Sequence, residues 1–354
     1  MKRFLIVEFG SWHDECLFSM CMLMKKCGWH VTLVANSKLQ GRVSDTLKTV
    51  TDEMLFFPFG SDWKGIRALW KFYRYLLKQG NLHMHVNTAQ GSLAWKFFLL
   101  PLPKRVKVTG TMHNIAKLGG STGQRIITRQ MDGYLLLNDI LVDAYKKHSD
   151  KPFGVVYPIF YPKDVLKTSP SIKKPDDEVW ITIPGAISYG RRNYNQLLPP
   201  DGVNYGKQIK FILLGNIHKA DGMKLKEEIM KRRLEENFVL FDAFVPDDVF
   251  YAYVEQSDYV LPLISPEIPI YNKYLTEKIS GTYNLSIAYR KPMLCPMEMA
   301  GIEDFKDTAL FYDKSTFFEY INALVPDKPL ATGLFQSPKW QVQEQLKRLE
   351  AFIA

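Results

Sequence analysis

Four short stretches of this 354-residue chain carry side chains able to hold an anion or move a proton. Ser280-Gly281-Thr282 opens a helical stretch that continues to Tyr289 and leads into Arg290-Lys291-Pro292. Small residues at a helix start leave backbone N–H groups uncovered at the positive end of the helix dipole, and such a terminus accepts phosphate. The same triplet also serves as an ordinary cap. Arg191 and Arg192 follow a turn at Gly185, and a guanidinium matches the geometry of phosphate oxygens. The alternative for that pair is two solvated surface arginines, and Lys278 is a further cation beside the triplet. His113 closes the apolar run Val106 to Met112, with Asn114 and the glycine-rich loop Gly119 to Gly123 behind it. A lone histidine in that place is either functional or structural. His13, Asp14 and Glu15 follow the first apolar run, and any of them is able to act as a general base. Asp14 with Ser11 equally fits a capping box for a helix running to about Lys26. No metal triad, Walker loop or Ser-His-Asp order is present.

The elements that must position these groups alternate. Arg3 to Phe9 reads as a buried strand, a helix follows, Gly28 stops it, and Trp29 to Ala35 is a second strand. Strand, glycine turn, helix and strand at this spacing make a βαβ unit, hence a parallel sheet. Further strands are expected at His83 to Val86, Val106 to Met112 and Tyr134 to Leu137. Val155 to Pro162 reads as a linker, followed by the polar stretch Lys163 to Asp177. A second series begins at Val179 to Gly185 and continues at Ile209 to Gly215 and Val239 to Phe244. A helix at Asp247 to Gln256 and a short apolar run from Asp258 to Leu263 come next. Thr308 to Tyr312 is its last strand. Pro326 to Pro338 reads as a loop before a final helix, Trp340 to Ile353. Ligands of open α/β sheets sit at the carboxyl ends of the strands, and with two such sheets the cleft between them is the expected site.

Composition narrows the class. A hydrophobic share of 46% supports real cores, and the length suggests two domains. Neither a signal peptide nor an apolar stretch long enough to span a bilayer is evident. Cys16, Cys21, Cys27 and Cys295 lack metal-ligand spacing and are expected to be reduced core residues of a cytoplasmic protein. The net charge of +9 favours an acidic partner. One basic run stands out from Asp62 to Gln79. Lys64, Arg67, Lys71, Arg74 and Lys78 fall on one helical face, and Ile66, Leu69, Trp70, Tyr73 and Leu77 on another. That pattern suits an anionic membrane surface as well as a plain surface helix. It is too helical to resemble a base-stacking sheet, so no nucleic-acid partner is expected.

From Gly185 onward the pattern resembles the nucleotide-sugar glycosyltransferases of the two-Rossmann GT-B architecture, the group with family 4-like enzymes. The matching pieces are Pro184 to Ser188 with Arg191-Arg192, Leu213 to Asn216, Phe241 to Val245, Ser257 to Pro262, and Arg290-Lys291-Pro292. In the first half the likeness rests on Thr109 to Asn114. The resemblance implies an α/β protein of two Rossmann-like domains facing each other across a cleft. Residues 1–157 would form the acceptor domain, 158–335 the donor domain, and 336–354 a helix packing back on the first. It implies a donor site of Gly185, Arg191, Arg192, Gly215, Lys278, Ser280, Gly281 and Thr282, with Phe244 and Val245 at the nucleobase. It puts His113 at the donor sugar and Glu277 at the first of two family glutamates. Leu285 stands where the second, which holds the ribose, would be. His13 and Asp14 face the acceptor side. The implied activity is glycosyl transfer from a nucleoside diphosphate sugar to a glycan or lipid-linked acceptor, without cofactor or metal. The implied location is cytoplasmic, peripheral at the inner face of a membrane. A sugar-nucleotide epimerase and a non-catalytic sugar-nucleotide-binding protein remain open alternatives.

Overall fold

A computed structural model describes residues 2–161, 163, 171–200, 202–219, 221–326 and 333–354. Part of the loop expected at Pro326 to Pro338, and part of the stretch Lys163 to Asp177, lie outside them. The chain forms two compact units. One comprises Met1–Val165, Leu275–Ile279 and Pro338–Ala354, and the other Leu166–Tyr274 and Ser280–Ser337.

The strands of the first unit are β1 Arg3–Glu8, β2 His30–Asn36, β3 Glu53–Phe57, β4 Leu82–Val86, β5 Val106–Met112, β6 Gly133–Leu136 and β7 Phe153–Val155. Among the described residues they make one parallel sheet in the order β3-β2-β1-β4-β5-β6-β7. Parallel strands are covered on both faces, so they read as unbroken apolar runs. Alternate side chains of β1 divide between two cores. Leu5 and Val7 join one, with Phe72 and Leu76 of the helix Trp63–Leu77. Phe4 and Ile6 join the other, with Leu349 and Ile353 of the terminal helix Val342–Ile353.

Four local expectations for this unit are corrected. Strand β3 was not anticipated, because its five residues are all half-buried and give no alternation. Strand β7 was not anticipated; it pairs with β6 through Phe153 to Val155 and reaches only the first residue of the supposed linker. The capping box at Ser11 and Asp14 does not form. The helix begins at Leu17 after a tight turn at Asp14–Cys16, and the Asp14 carboxylate pairs with Arg42 at 2.8 Å. On the helix Trp63–Leu77 the five apolar residues grouped together above are split. Leu69 and Tyr73 are buried with Ala68, Phe72 and Leu76, whereas Ile66, Trp70 and Leu77 are exposed. Its start is as expected: the Asp62 carboxylate accepts the Gly65 N–H at 3.0 Å.

The second unit holds β8 Val179–Pro184, β9 Ile209–Asn216, β10 Phe238–Phe241, β11 Tyr259–Val260, β12 Met293–Pro296 and β13 Ala309–Tyr312. They too are all parallel, in the order β10-β9-β8-β11-β12-β13. Strand β11 stops early because Pro262 has no N–H to continue the ladder. Leu263 after it takes a left-handed conformation, φ 54°. The strand expected to run to Phe244 ends at Phe241. Phe244 stands exposed and Val245 is buried ahead of Pro246, which leads into the helix Asp247–Gln256. These α/β units, each with its own fully parallel sheet, are the two-sheet arrangement expected from the sequence.

Candidate functional site

The first unit carries a pocket of about 650 Å³ beyond the carboxyl ends of β1, β2 and β4, lined among others by Glu8, Trp12, His13, Thr88, Gln90 and Lys117. Its floor is built on Glu8, a fully buried carboxylate that ends an apolar strand. One oxygen accepts the Gly10 N–H at 2.7 Å. The other accepts Asn87 Nδ2 at 2.7 Å and Thr88 Oγ1 at 2.6 Å. Burial raises the Glu8 pKa above the usual carboxylate range, although these three donors and the nearby His13 pull the other way. Asn87 ties the pocket together. Its Nδ2 also donates to the His13 carbonyl at 3.0 Å, and its own carbonyl accepts Nε2 of His113 at 2.9 Å.

The two histidines stack, with ring centroids 3.8 Å apart and planes 21° apart. They are not equivalent. Burial and the neighbouring His13 hold the His113 pKa down at about 3, so its ring is neutral. A carbonyl only accepts, so the proton of His113 lies on Nε2. His13 sits at φ 65°, a left-handed conformation rare for a residue with a Cβ. Its Nδ1 lies 3.2 Å from Glu15 Oε1, which fixes the proton on Nδ1 and leaves Nε2 as the basic nitrogen. Burial opposes charge on His13, but the Glu15 hydrogen bond and the Glu15, Glu8 and Asp14 carboxylates outweigh it. The net shift is upward. Of the acidic and basic groups expected near β1, the structure therefore joins His13 and Glu15 and turns Asp14 away to Arg42. Glu277 belongs to the segment Leu275–Ile279 of this unit, where its backbone carbonyl accepts the Ile115 N–H at 2.8 Å, two residues past His113. Lys278 lies on the same segment.

In the second unit Arg192 and the Ser280–Thr282 turn come together, whereas Arg191 does not join them and Lys278 belongs to the first unit. Gly185 follows β8 at φ 99°, a conformation open to glycine and strained for other residues. Its N–H donates to the Leu214 carbonyl at 3.1 Å. Gly215 lies against it so closely that a Cβ there would fall 2.4 Å from the Gly185 carbonyl oxygen. The chain then turns at Ser188, whose carbonyl accepts the N–H groups of Arg191 and Arg192, both at 3.0 Å. This turn separates the two arginines. Arg191 is exposed, whereas Arg192 is half-buried and reaches Thr282 Oγ1 with Nη2 at 3.3 Å. Its Nη1 is buried and has no hydrogen-bond partner among the described residues. Ser280 caps the helix Gly281–Tyr289, accepting the Thr282 N–H at 3.4 Å, and the space around Gly281 is open. A guanidinium with a spare donor beside a helix N-terminus has the chemistry to hold an anion. Phe244, exposed, and Val245, buried, lie on the turn after β10. Among the described residues no group of three His, Cys, Asp or Glu side chains is gathered that would hold a metal ion.

Sequence reasoning missed Glu8, Asn87 and Thr88. A charged residue closing the run Phe4-Leu-Ile-Val7 was the one available signal, since Asn87 pairs across 79 positions. The glycine contact also yields a test. Gly215→Ala is expected to push the Gly185 turn and lower the melting temperature by several degrees, overpacking costing about 1–3 kcal/mol. Thermal melts of the variant beside the parent would read it.

Comparison by sequence matches the chain to no protein family and to no curated protein. HepE of Anabaena, solved with UDP and glucose, superposes with a TM-score of 0.68 over 100% of this chain and 99% of that one, at 13% identity. The same protein solved with UDP-glucose gives a TM-score of 0.58, covering 91% and 89% of the two chains at 13% identity. A mutant O-GlcNAc transferase of Thermobaculum terrenum gives 0.51, over 99% of this chain and 64% of that one, at 11% identity. The fold is therefore the GT-B fold of nucleotide-sugar glycosyltransferases.

Proposed function

We propose that this protein is a glycosyltransferase that moves a hexosyl or related glycosyl group from a nucleoside diphosphate sugar to an acceptor hydroxyl. The acceptor is a glycan or a lipid-linked precursor. The observation that carries the reading is Arg192, whose buried Nη1 lacks a partner beside Thr282 and the open start of the helix Gly281–Tyr289. A donor brings a diphosphate to such a place, and its charge grows as the bond from sugar C1 to the phosphate oxygen breaks. The leaving oxygen keeps the bonding pair. Fixed cations and N–H groups stabilise that charge without rearranging. The pocket of the first unit supplies the acceptor's place. In an inverting transfer the acceptor oxygen forms the new bond to C1 while its proton passes to Nε2 of His13, which Glu15 orients and supports. Neutral His113 packs against that base and holds it in place.

The likeness to HepE and O-GlcNAc transferase supports the reading through the fold they share. No cofactor and no metal is proposed for the reaction. Arg192→Ala is expected to weaken nucleoside diphosphate binding by about 1.5–3 kcal/mol, the range for a charge-assisted contact. Arg191→Ala, altering an exposed neighbour, should bind nearly as the parent does. Calorimetric titration with UDP and other nucleoside diphosphates decides it. Parent-like binding by a folded Arg192→Ala protein would overturn the assignment.

A further inference from the structure

We propose that the first unit docks on an anionic membrane surface through the helix Trp63–Leu77, which gives the proposed transferase a lipid-carried acceptor. At 3.6 residues per turn this helix carries three distinct strips. Ala68, Leu69, Phe72, Tyr73 and Leu76 are buried in the core. Lys64, Arg67, Lys71, Arg74 and the following Lys78 form an exposed basic strip. No acidic residue interrupts it between Trp63 and Lys78, and none of the five cations has an ion-pair partner among the described residues. The third strip lies between the other two. Trp63, Ile66, Trp70 and Leu77 are respectively 73%, 41%, 49% and 43% exposed.

The chemistry of that third strip selects the occupant. A helix that only packs on its own domain has no use for two exposed tryptophans beside isoleucine and leucine. A polyanion in water would engage the cations and leave the indoles hydrated. A bilayer surface takes both, because headgroups meet the lysines and arginines while indole rings settle at the boundary with the acyl chains. Two further observations extend the surface. Tyr73 donates to the Pro101 carbonyl at 2.8 Å, which brings alongside the loop after exposed Leu99. Phe59, Gly60 and Ser61, which lead into this helix through its cap Asp62, line the 650 Å³ pocket, as does Trp12, 75% exposed. The docking strip is thus continuous in the chain with the acceptor pocket's wall. Among the described residues no helix is long and apolar enough to cross a membrane. The strip pattern belongs to a helix lying in the interface plane.

The test is co-sedimentation of the whole protein with phosphatidylserine-containing and with pure phosphatidylcholine vesicles, at low salt and at about 1 M salt, where the Debye length is about 3 Å. The protein is expected in the pellet with the anionic vesicles at low salt, and in the supernatant in the other three conditions. The pair Lys71→Glu with Arg74→Glu should abolish pelleting. The pair Trp63→Ser with Trp70→Ser should weaken it at least tenfold with all cations in place. These positions are exposed, so melting temperatures should match the parent's. Absence from every pellet, equal pelleting with neutral vesicles, or binding to RNA that the tryptophan pair leaves unchanged would each overturn the proposal. The readout is binding to lipid alone. Loss of the transferase reading would show instead in the nucleoside diphosphate titration.

Discussion

His13→Ala is expected to lower glycosyl transfer by about 10²–10⁴-fold, the range for removing a positioned general base. Affinity for the nucleoside diphosphate should stay near the parent's, because the proposed diphosphate contacts, Arg192 and Thr282, belong to the second unit. The geometry sets the direction of a companion pH profile. His13 acts through unprotonated Nε2, so transfer must rise with pH through its pKa. The Glu15 hydrogen bond and the surrounding carboxylates raise that pKa above the ordinary histidine value despite burial. The rising limb is therefore expected above pH 6.5. Glu15→Gln removes the main support, and should move that limb to lower pH while slowing transfer. His113→Ala should slow transfer more than it weakens diphosphate binding, since the stacked ring at 3.8 Å positions the base and not the phosphates. Transfer by His13→Ala at the parental rate would remove His13 from the mechanism, while leaving the diphosphate site standing.

Much of this could be read before any coordinates, and the parts that could not share a cause. Val106–Met112, Val179–Pro184 and Asp247–Gln256 were legible because long apolar runs or a well-marked turn decide them locally. The Gly185 turn and the small residues opening the helix at Gly281 were legible because backbone demands restrict which residues fit. Choosing Arg192 over Arg191 was not, since adjacent residues on a turn point apart and only the fold says which one meets Thr282. The bridge Glu8–Asn87–His13 was equally hidden, as it depends on β1 and β4 lying side by side. On the helix Trp63–Leu77 periodicity alone separated a basic face from an apolar one, but which of the apolar residues face the core depends on the sheet beneath. Ala68, Phe72 and Leu76, four residues apart, fill it and leave Trp70 and Leu77 outside.

A second large effect should appear in mild acid. His83, His85 and His113 are buried, and burial holds each pKa down at about 3, with nearby cationic or histidine neighbours adding to the shift. His83 and His85 are joined between β4 and β5 through Thr109 Oγ1, at 2.9 Å from His83 Nε2 and from His85 Nδ1, and His85 Nε2 meets Thr111 Oγ1 at 2.9 Å. In the unfolded chain these rings take protons near pH 6.5, whereas in the folded protein they resist to about pH 3. Over that window the unfolded state binds more protons, so stability is fully present above pH 6.5 and drains away as the pH falls. Each histidine removes up to roughly 1.4 kcal/mol per pH unit. Three acting together approach about 4 kcal/mol per unit, against a typical total of about 5–15 kcal/mol. Glu8 acts in the opposite sense, since its raised pKa makes the folded state the better proton acceptor there, but it is one group against three. Thermal melts followed by circular dichroism should therefore show a steep fall in Tm between pH 6 and pH 4, with unfolding at room temperature near the lower end. His85→Gln, which still hydrogen-bonds but cannot titrate, should lower stability at pH 7 yet flatten the acid limb by about one proton. A Tm that stays level from pH 7 to pH 4 would mean that these rings are hydrated or already charged in the folded protein.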